Sequence, residues 1–114
     1  MKDKKIIDIP ILGGKLCITR IKSWKKVNKE YGFDLTNIMD ACVIFKEENN
    51  ISYNEIYFIN KPSNAVIAHE AVHAVNNIFK SRGIKLDINN DELQAYLTEW
   101  VFEQVENYFE EYDI

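Results

Sequence analysis

The stretch AVIAHEAVHAVNNIFK, residues Ala65 to Lys80, decides how the chain is read. Its apolar residues Ile67, Ala68, Ala71, Val72, Val75, Ile78 and Phe79 recur at steps of three and four, the period of an amphipathic helix. Lys61-Pro62-Ser63-Asn64 breaks the preceding pattern and supplies candidate caps. Lys80 and Arg82 suit the negative end of the helix dipole, and Gly83 is a stop. A helix over 65–80 is therefore predicted, with one face turned to a core.

Downstream, Ile84 to Asn89 (IKLDIN) connects to a second long helix predicted from Asn90 to Tyr108 or beyond. Asn90 is its expected cap, and Asp91 and Glu92 fill a first turn where negative charge is favoured. Upstream the period changes to that of strands. Lys5 to Leu12 (KIIDIPIL) reads as an edge strand because Pro10 cannot donate to a ladder. Gly13-Gly14 then signals a two-residue hairpin into Lys15 to Ile21 (KLCITRI). Ser23 to Tyr31 suits a short helix with Ser23 as cap, Gly32 as stop, and Trp24, Val27 and Tyr31 as its packing face. Asp34 to Asp40 reads as a loop or a helical turn. Ala41 to Phe45 and Glu55 to Asn60 read as strands around a polar turn at Glu47 to Asn50. Strands first and two long helices after them give an α+β fold: a small mixed β-sheet with an N-terminal hairpin, packed on one face against the two helices.

The chain has 114 residues, enough for one domain, 1–114, with a core that needs no disulfide. A content of 46% hydrophobic and 28% charged residues is that of a globular protein. The net charge of −4 argues against nucleic acid or an anionic membrane as partner, since both reward a basic surface. The acidic run Glu103, Glu106, Glu110, Glu111 and Asp113 reads as a solvated helix face. Cys17 and Cys42 form no CxxC pair and sit in apolar runs, so two reduced thiols in a cytoplasmic protein are expected. No signal peptide or membrane-spanning stretch is visible. The aromatics Trp100, Phe102, Tyr108, Phe109 and Tyr112 suit either the sheet or a partner subunit.

The chemistry-bearing pattern is His69-Glu70-Ala71-Val72-His73. Side chains four apart on a helix lie on one face, so two imidazoles can reach one metal ion, and Zn²⁺ is the default for neutral imidazole. Glu70 lies one step on, placed to take a proton from water as general base. These are the only histidines of the chain. Two scattered histidines would give this spacing with a following Glu in roughly one or two chains per thousand. The plain reading is a pair of helix-surface histidines. A two-His site needs a third protein ligand, which here must be a carboxylate. Glu92, Ala95, Tyr96 and Glu99 share one face of the second helix, and small Ala95 permits close approach. Glu92 is the first candidate, with Glu99 and Asp91 as alternatives; the plain reading of Glu92 is a carboxylate answering the helix dipole.

HEAVH followed, after eighteen intervening residues, by Glu92 in NDELQAYLTEW resembles the zincin metallopeptidases, and more narrowly their gluzincin branch. Residues Ile67 to Trp100 are also similar to small metallopeptidase-like proteins of phages and prophages. The resemblance implies zinc held by His69, His73 and Glu92, Glu70 as general base, and a sheet strand that takes an extended peptide, for which Glu55 to Asn60 is the expected segment. The larger enzymes add an oxyanion-stabilising His or Tyr from a second lobe. This chain has no spare His, so Tyr96, with Arg82 behind it, is the nearest candidate. Two functions follow as expectations: a zinc-dependent hydrolase, first of all a peptidase, or a non-catalytic zincin-like module whose metal is structural or vestigial and which binds a host or viral protein. A third reading, a metal-free helical scaffold, needs only that no metal accompany the protein.

Overall fold

The computed structural model describes residues 4–36 and 39–112. Asn37 and Ile38 of the expected 34–40 loop, and Asp113 of the acidic run, lie outside the described residues. The elements are β1 (Lys4–Asp8), β2 (Lys15–Arg20), α1 (Lys25–Tyr31), β3 (Ala41–Glu48), β4 (Ile51–Phe58), α2 (Asn64–Ser81) and α3 (Glu92–Tyr112). The four strands form one mixed sheet in the order β1-β2-β4-β3. β1 pairs antiparallel with β2, β2 parallel with β4, and β3 antiparallel with β4. The fold is α+β.

The expected two-residue hairpin falls elsewhere. β1 ends at Asp8, before Pro10, and residues 9–14 make the connection, closed by Ile9 N–H donating to Gly14 O at 3.0 Å. Pro10 sits in the turn rather than the strand. A Cβ on Gly14 would collide with Ser52 Oγ, and its φ of +88° also favours glycine. The tight hairpin is β3–β4, where Asn49 and Asn50 take φ of 53° and 66° between the paired residues Glu48 and Ile51. Asparagine tolerates the left-handed region that such a turn demands. β4 begins four residues before the expected strand, because Ser52, Tyr53 and Asn54 extend the alternation with polar side chains.

The alternation of the strands sorts the two faces of the sheet. Leu16, Ile18, Ala41, Ile56 and Phe58 meet Ile67, Ala71, Ala74, Val75 and Ile78 of α2 and Leu97, Val101, Val105, Tyr108 and Phe109 of α3. Phe109 stands edge-on to Phe58, with ring centroids 5.4 Å apart, so these late aromatics pack the sheet. On the opposite face α1 buries Trp24 and Val27 against Ile44 and Ile59. Gly32 ends α1 in the left-handed conformation, as expected, but the N-cap is Trp24 and makes no side-chain cap bond. Ser63 caps α2, accepting from Val66 N–H at 3.3 Å. No helix of the described residues is long and apolar enough to cross a membrane. Glu103, Glu106, Glu110 and Glu111 are exposed on α3.

α2 is rotated relative to the sequence stripe. Ala68 and Val72, expected on the core face, are exposed, and Glu70 and Ala74 are buried instead. The core therefore takes the side of α2 that carries Glu70, which places the carboxylate against protein and the two histidines toward water.

Candidate metal centre

His69 and His73 lie roughly 160° around α2 from Ala71, the middle of its buried stripe, and both are exposed. Their rings meet edge-on, with centroids 4.8 Å apart and planes at 77°. The two Nε2 atoms are 3.3 Å apart. Two nitrogens bound at the usual zinc distance to one tetrahedral ion stand about 3.3–3.4 Å apart, so the pair fits two adjacent coordination positions. Without an ion, the same separation lets one ring N–H donate to the other ring nitrogen.

Glu70 is 7% exposed, on the flank of the buried stripe. Its Oε2 is 3.8 Å from His69 Nε2, and among the described residues no lysine or arginine pairs with it. Burial pushes the Glu70 carboxyl above the usual carboxylate range; the two histidines oppose this and Asp40 adds to it. A carboxylate buried without a cation is expensive for a fold, and such residues concentrate where chemistry uses them. A cleft of about 400 Å³ opens beside the pair, lined by Met39, Asp40, Ala41, Ala65, Val66, His69 and Glu70. It joins the first turns of α2 to the start of β3.

The acids of α3 are not brought to this site. Among the described residues no three His, Cys, Asp or Glu side chains converge as a metal-binding group. Two geometric reasons separate Glu92 and Glu99 from the histidines. The helices run antiparallel, since Asn64 and Ile67 of α2 line one cleft with Glu106 and Phe109 of α3. From that level Glu92 is about 21 Å along its helix and His73 only about 9 Å, an axial offset of roughly 12 Å. Glu99 is nearer in height, but it points roughly 160° away from the buried Leu97, and Glu92 roughly 140°; both are exposed, as is Asp91. The shared face of Glu92, Ala95, Tyr96 and Glu99 is thus real but faces solvent.

Tyr96 is 44% exposed on that same outer face. Arg82 is engaged elsewhere, its Nε donating to Leu12 O at 2.8 Å and so tying the end of α2 to the β1–β2 connection. The strand expected to receive a peptide is also corrected: β4 lies between β2 and β3, with both edges hydrogen-bonded. The open edges belong to β1 and β3, and β3 starts at the cleft. Asp40, which lines the cleft with His69 and Glu70, carries no signal in the sequence, since no local spacing links it to a motif that begins 29 residues later. Compared with known protein families, curated proteins and solved structures, the chain matches none.

Proposed function

We propose that the chain is a zinc-dependent hydrolase, a peptidase, with His69 and His73 as metal ligands and Glu70 as general base. One observation carries the reading: two solvent-facing Nε2 atoms at the spacing of adjacent ligands, next to a buried carboxylate that no lysine or arginine among the described residues neutralises. Bound zinc supplies Lewis acidity, acidifying water and polarising a substrate carbonyl. Glu70 takes the proton from the attacking water as its oxygen bonds to the carbonyl carbon. When the C–N bond breaks, Glu70 returns that proton to the leaving amine. Its raised affinity for a proton suits both halves of the task. The free edge of β3 offers backbone groups to an extended peptide leading into the cleft. The free thiols Cys17 and Cys42 support a cytoplasmic setting.

The rival is a zincin-shaped binding module with a structural or vestigial metal. The exposure of the pair, with the His69 side chain 67% open, favours it, because a site so open to water encloses a substrate poorly. The two separate in one experiment. Protein purified without chelator or histidine tag is analysed for metal and then incubated with a peptide library, alongside Glu70→Gln. Stoichiometric zinc in both proteins, with cleavage in the parent alone, is the expected result. Cleavage by Glu70→Gln removes the general base, zinc without cleavage gives the binding module, and protein without zinc removes the metal reading.

A further inference from the structure

We infer that Asp40, and not an acid of α3, is the third protein ligand of this centre; the inference rests on the metal reading above. The donor set needs a carboxylate besides Glu70. Among the described residues, Asp40 and Glu70 are the acids that line the cleft with His69. Glu70 follows His69 directly, so its side chain leaves the helix about 100° away from that of His69 and turns into protein. Asp40 approaches from a different element, across the cleft, as a ligand that completes a helix-borne pair must.

The backbone at Asp40 is well held. Its carbonyl accepts from Ile59 N–H at 3.2 Å, and the neighbouring Met39 carbonyl accepts from Trp24 Nε1 at 3.1 Å. Ala41 then enters the ladder opposite Phe58. The Asp40 side chain is exposed, and among the described residues no cation pairs with it. A carboxylate exposed on a fixed backbone suits capture by a divalent ion. The three donors do not converge as they stand, so binding entails movement of the Asp40 side chain. A zinc ion held by two neutral imidazoles and Asp40 would keep one net positive charge and one position for water.

The test is Co²⁺ titration of the metal-free full-length chain, read by visible absorption, followed by Zn²⁺ competition. Parent, Asp40→Asn, Glu92→Gln and His73→Ala are compared, each checked for an unchanged melting temperature without metal. Asp40→Asn is expected to weaken binding about 100-fold or more, since even outer partners of ligands are worth 10–100-fold, and to change the Co²⁺ spectrum. Glu92→Gln should bind as the parent does. Binding lost in His73→Ala but kept in Asp40→Asn overturns the assignment and leaves the metal reading standing. A parent chain that binds no stoichiometric Co²⁺ or Zn²⁺ overturns both.

Discussion

Lys46→Met removes the cation from a carboxylate that the fold has buried. Glu55 is 2% exposed on the α1 face of β4. Its Oε2 meets Lys46 Nζ at 2.8 Å, and Tyr57 donates to its Oε1 at 2.5 Å. Burial alone would raise the Glu55 carboxyl, but the Lys46 ammonium and the Tyr57 hydroxyl outweigh it and hold the group below the usual range. The Glu55 contact pushes Lys46 upward, and burial together with the bond to Glu55 pushes Tyr57 upward. In the parent, then, Glu55 adds stability above the ordinary glutamate range, and this is lost as pH falls through its lowered folded value. In Lys46→Met the sign reverses, because a buried carboxylate without a cation favours its neutral form. The chain can always escape by protonating Glu55, which sets a ceiling on the damage. From an ordinary value of about 4.3, that protonation costs about 3.7 kcal/mol at pH 7 and about 1 kcal/mol at pH 5, and the lost stabilisation of the parent's ion pair adds to it. The retained Tyr57 bond lowers the cost, as does the partial exposure of Lys46, whose side chain is 30% open. We expect a loss of about 2–3 kcal/mol at pH 7, narrowing to 1 kcal/mol or less at pH 5. Urea unfolding at both pH values measures it, and Lys46→Met/Glu55→Gln should recover most of the loss. A cost below about 0.5 kcal/mol at pH 7, or a gap that does not narrow at pH 5, would refute the reasoning.

Leu97 is fully buried between α3 and the rest of the core, so Leu97→Ala should cost about 3 kcal/mol in urea unfolding; a loss under 1 kcal/mol would mean that α3 does not pack as described. Gly14→Ala meets both a left-handed φ and the Ser52 side chain, and should cost about 2 kcal/mol or more; a neutral result would show that the β1–β2 connection is free to relax. Zinc at a hundredfold excess over its Kd should stabilise the native chain by about 2.7 kcal/mol, or roughly 10 °C in melting temperature. His73→Ala should abolish that shift, and an equal shift in the variant would place the ion elsewhere.

The parts of this molecule written in local spacing were legible. α2 and α3 declared themselves through a three-to-four period and through Ser63 and the cations at the end of α2. The His69–His73 pair was legible for the same reason, since four residues on a helix fix the direction of both side chains. Strand limits were harder to read. Pro10 belonged to a turn, and Ser52, Tyr53 and Asn54 hid the first half of a central strand because burial there is earned by pairing on both edges and not by apolarity. What failed to come through was relative placement of elements. Glu92 has a zincin-like sequence separation from His73, yet its use as a ligand depends on the height and rotation of α3, which the Leu97, Val101, Val105 stripe sets. That stripe turns Glu92 and Glu99 outward. Asp40 lines the cleft beside the start of α2 because β3 pairs with β4, a register no single-sequence pattern announces.

Glu70 tests whether the burial on α2 serves folding or chemistry. If the residue were there for stability, its removal would weaken the fold. The geometry argues the reverse. The carboxylate is 7% exposed, the nearest basic atom among the described residues is an imidazole nitrogen at 3.8 Å, and its folded proton affinity is raised above the ordinary value. An acid raised in this way binds more protons in the folded state, so it penalises folding as pH rises. The penalty is absent below the ordinary carboxyl range and complete above the raised folded value. Glu70→Gln keeps the shape and removes the charge. Without metal it should therefore stabilise the chain by about 1 kcal/mol near neutral pH, in the range typical of single stabilising substitutions. The gain should vanish as pH falls below the ordinary carboxyl range. Thermal unfolding of the metal-free proteins between pH 4 and pH 8 follows the two curves. Curves that converge at low pH and separate at high pH, with Gln the more stable, mark Glu70 as a residue kept at a cost to the fold. Should Gln prove less stable at pH 8, the carboxylate is holding α2 in place, and the case for its role as a base loses its physical ground.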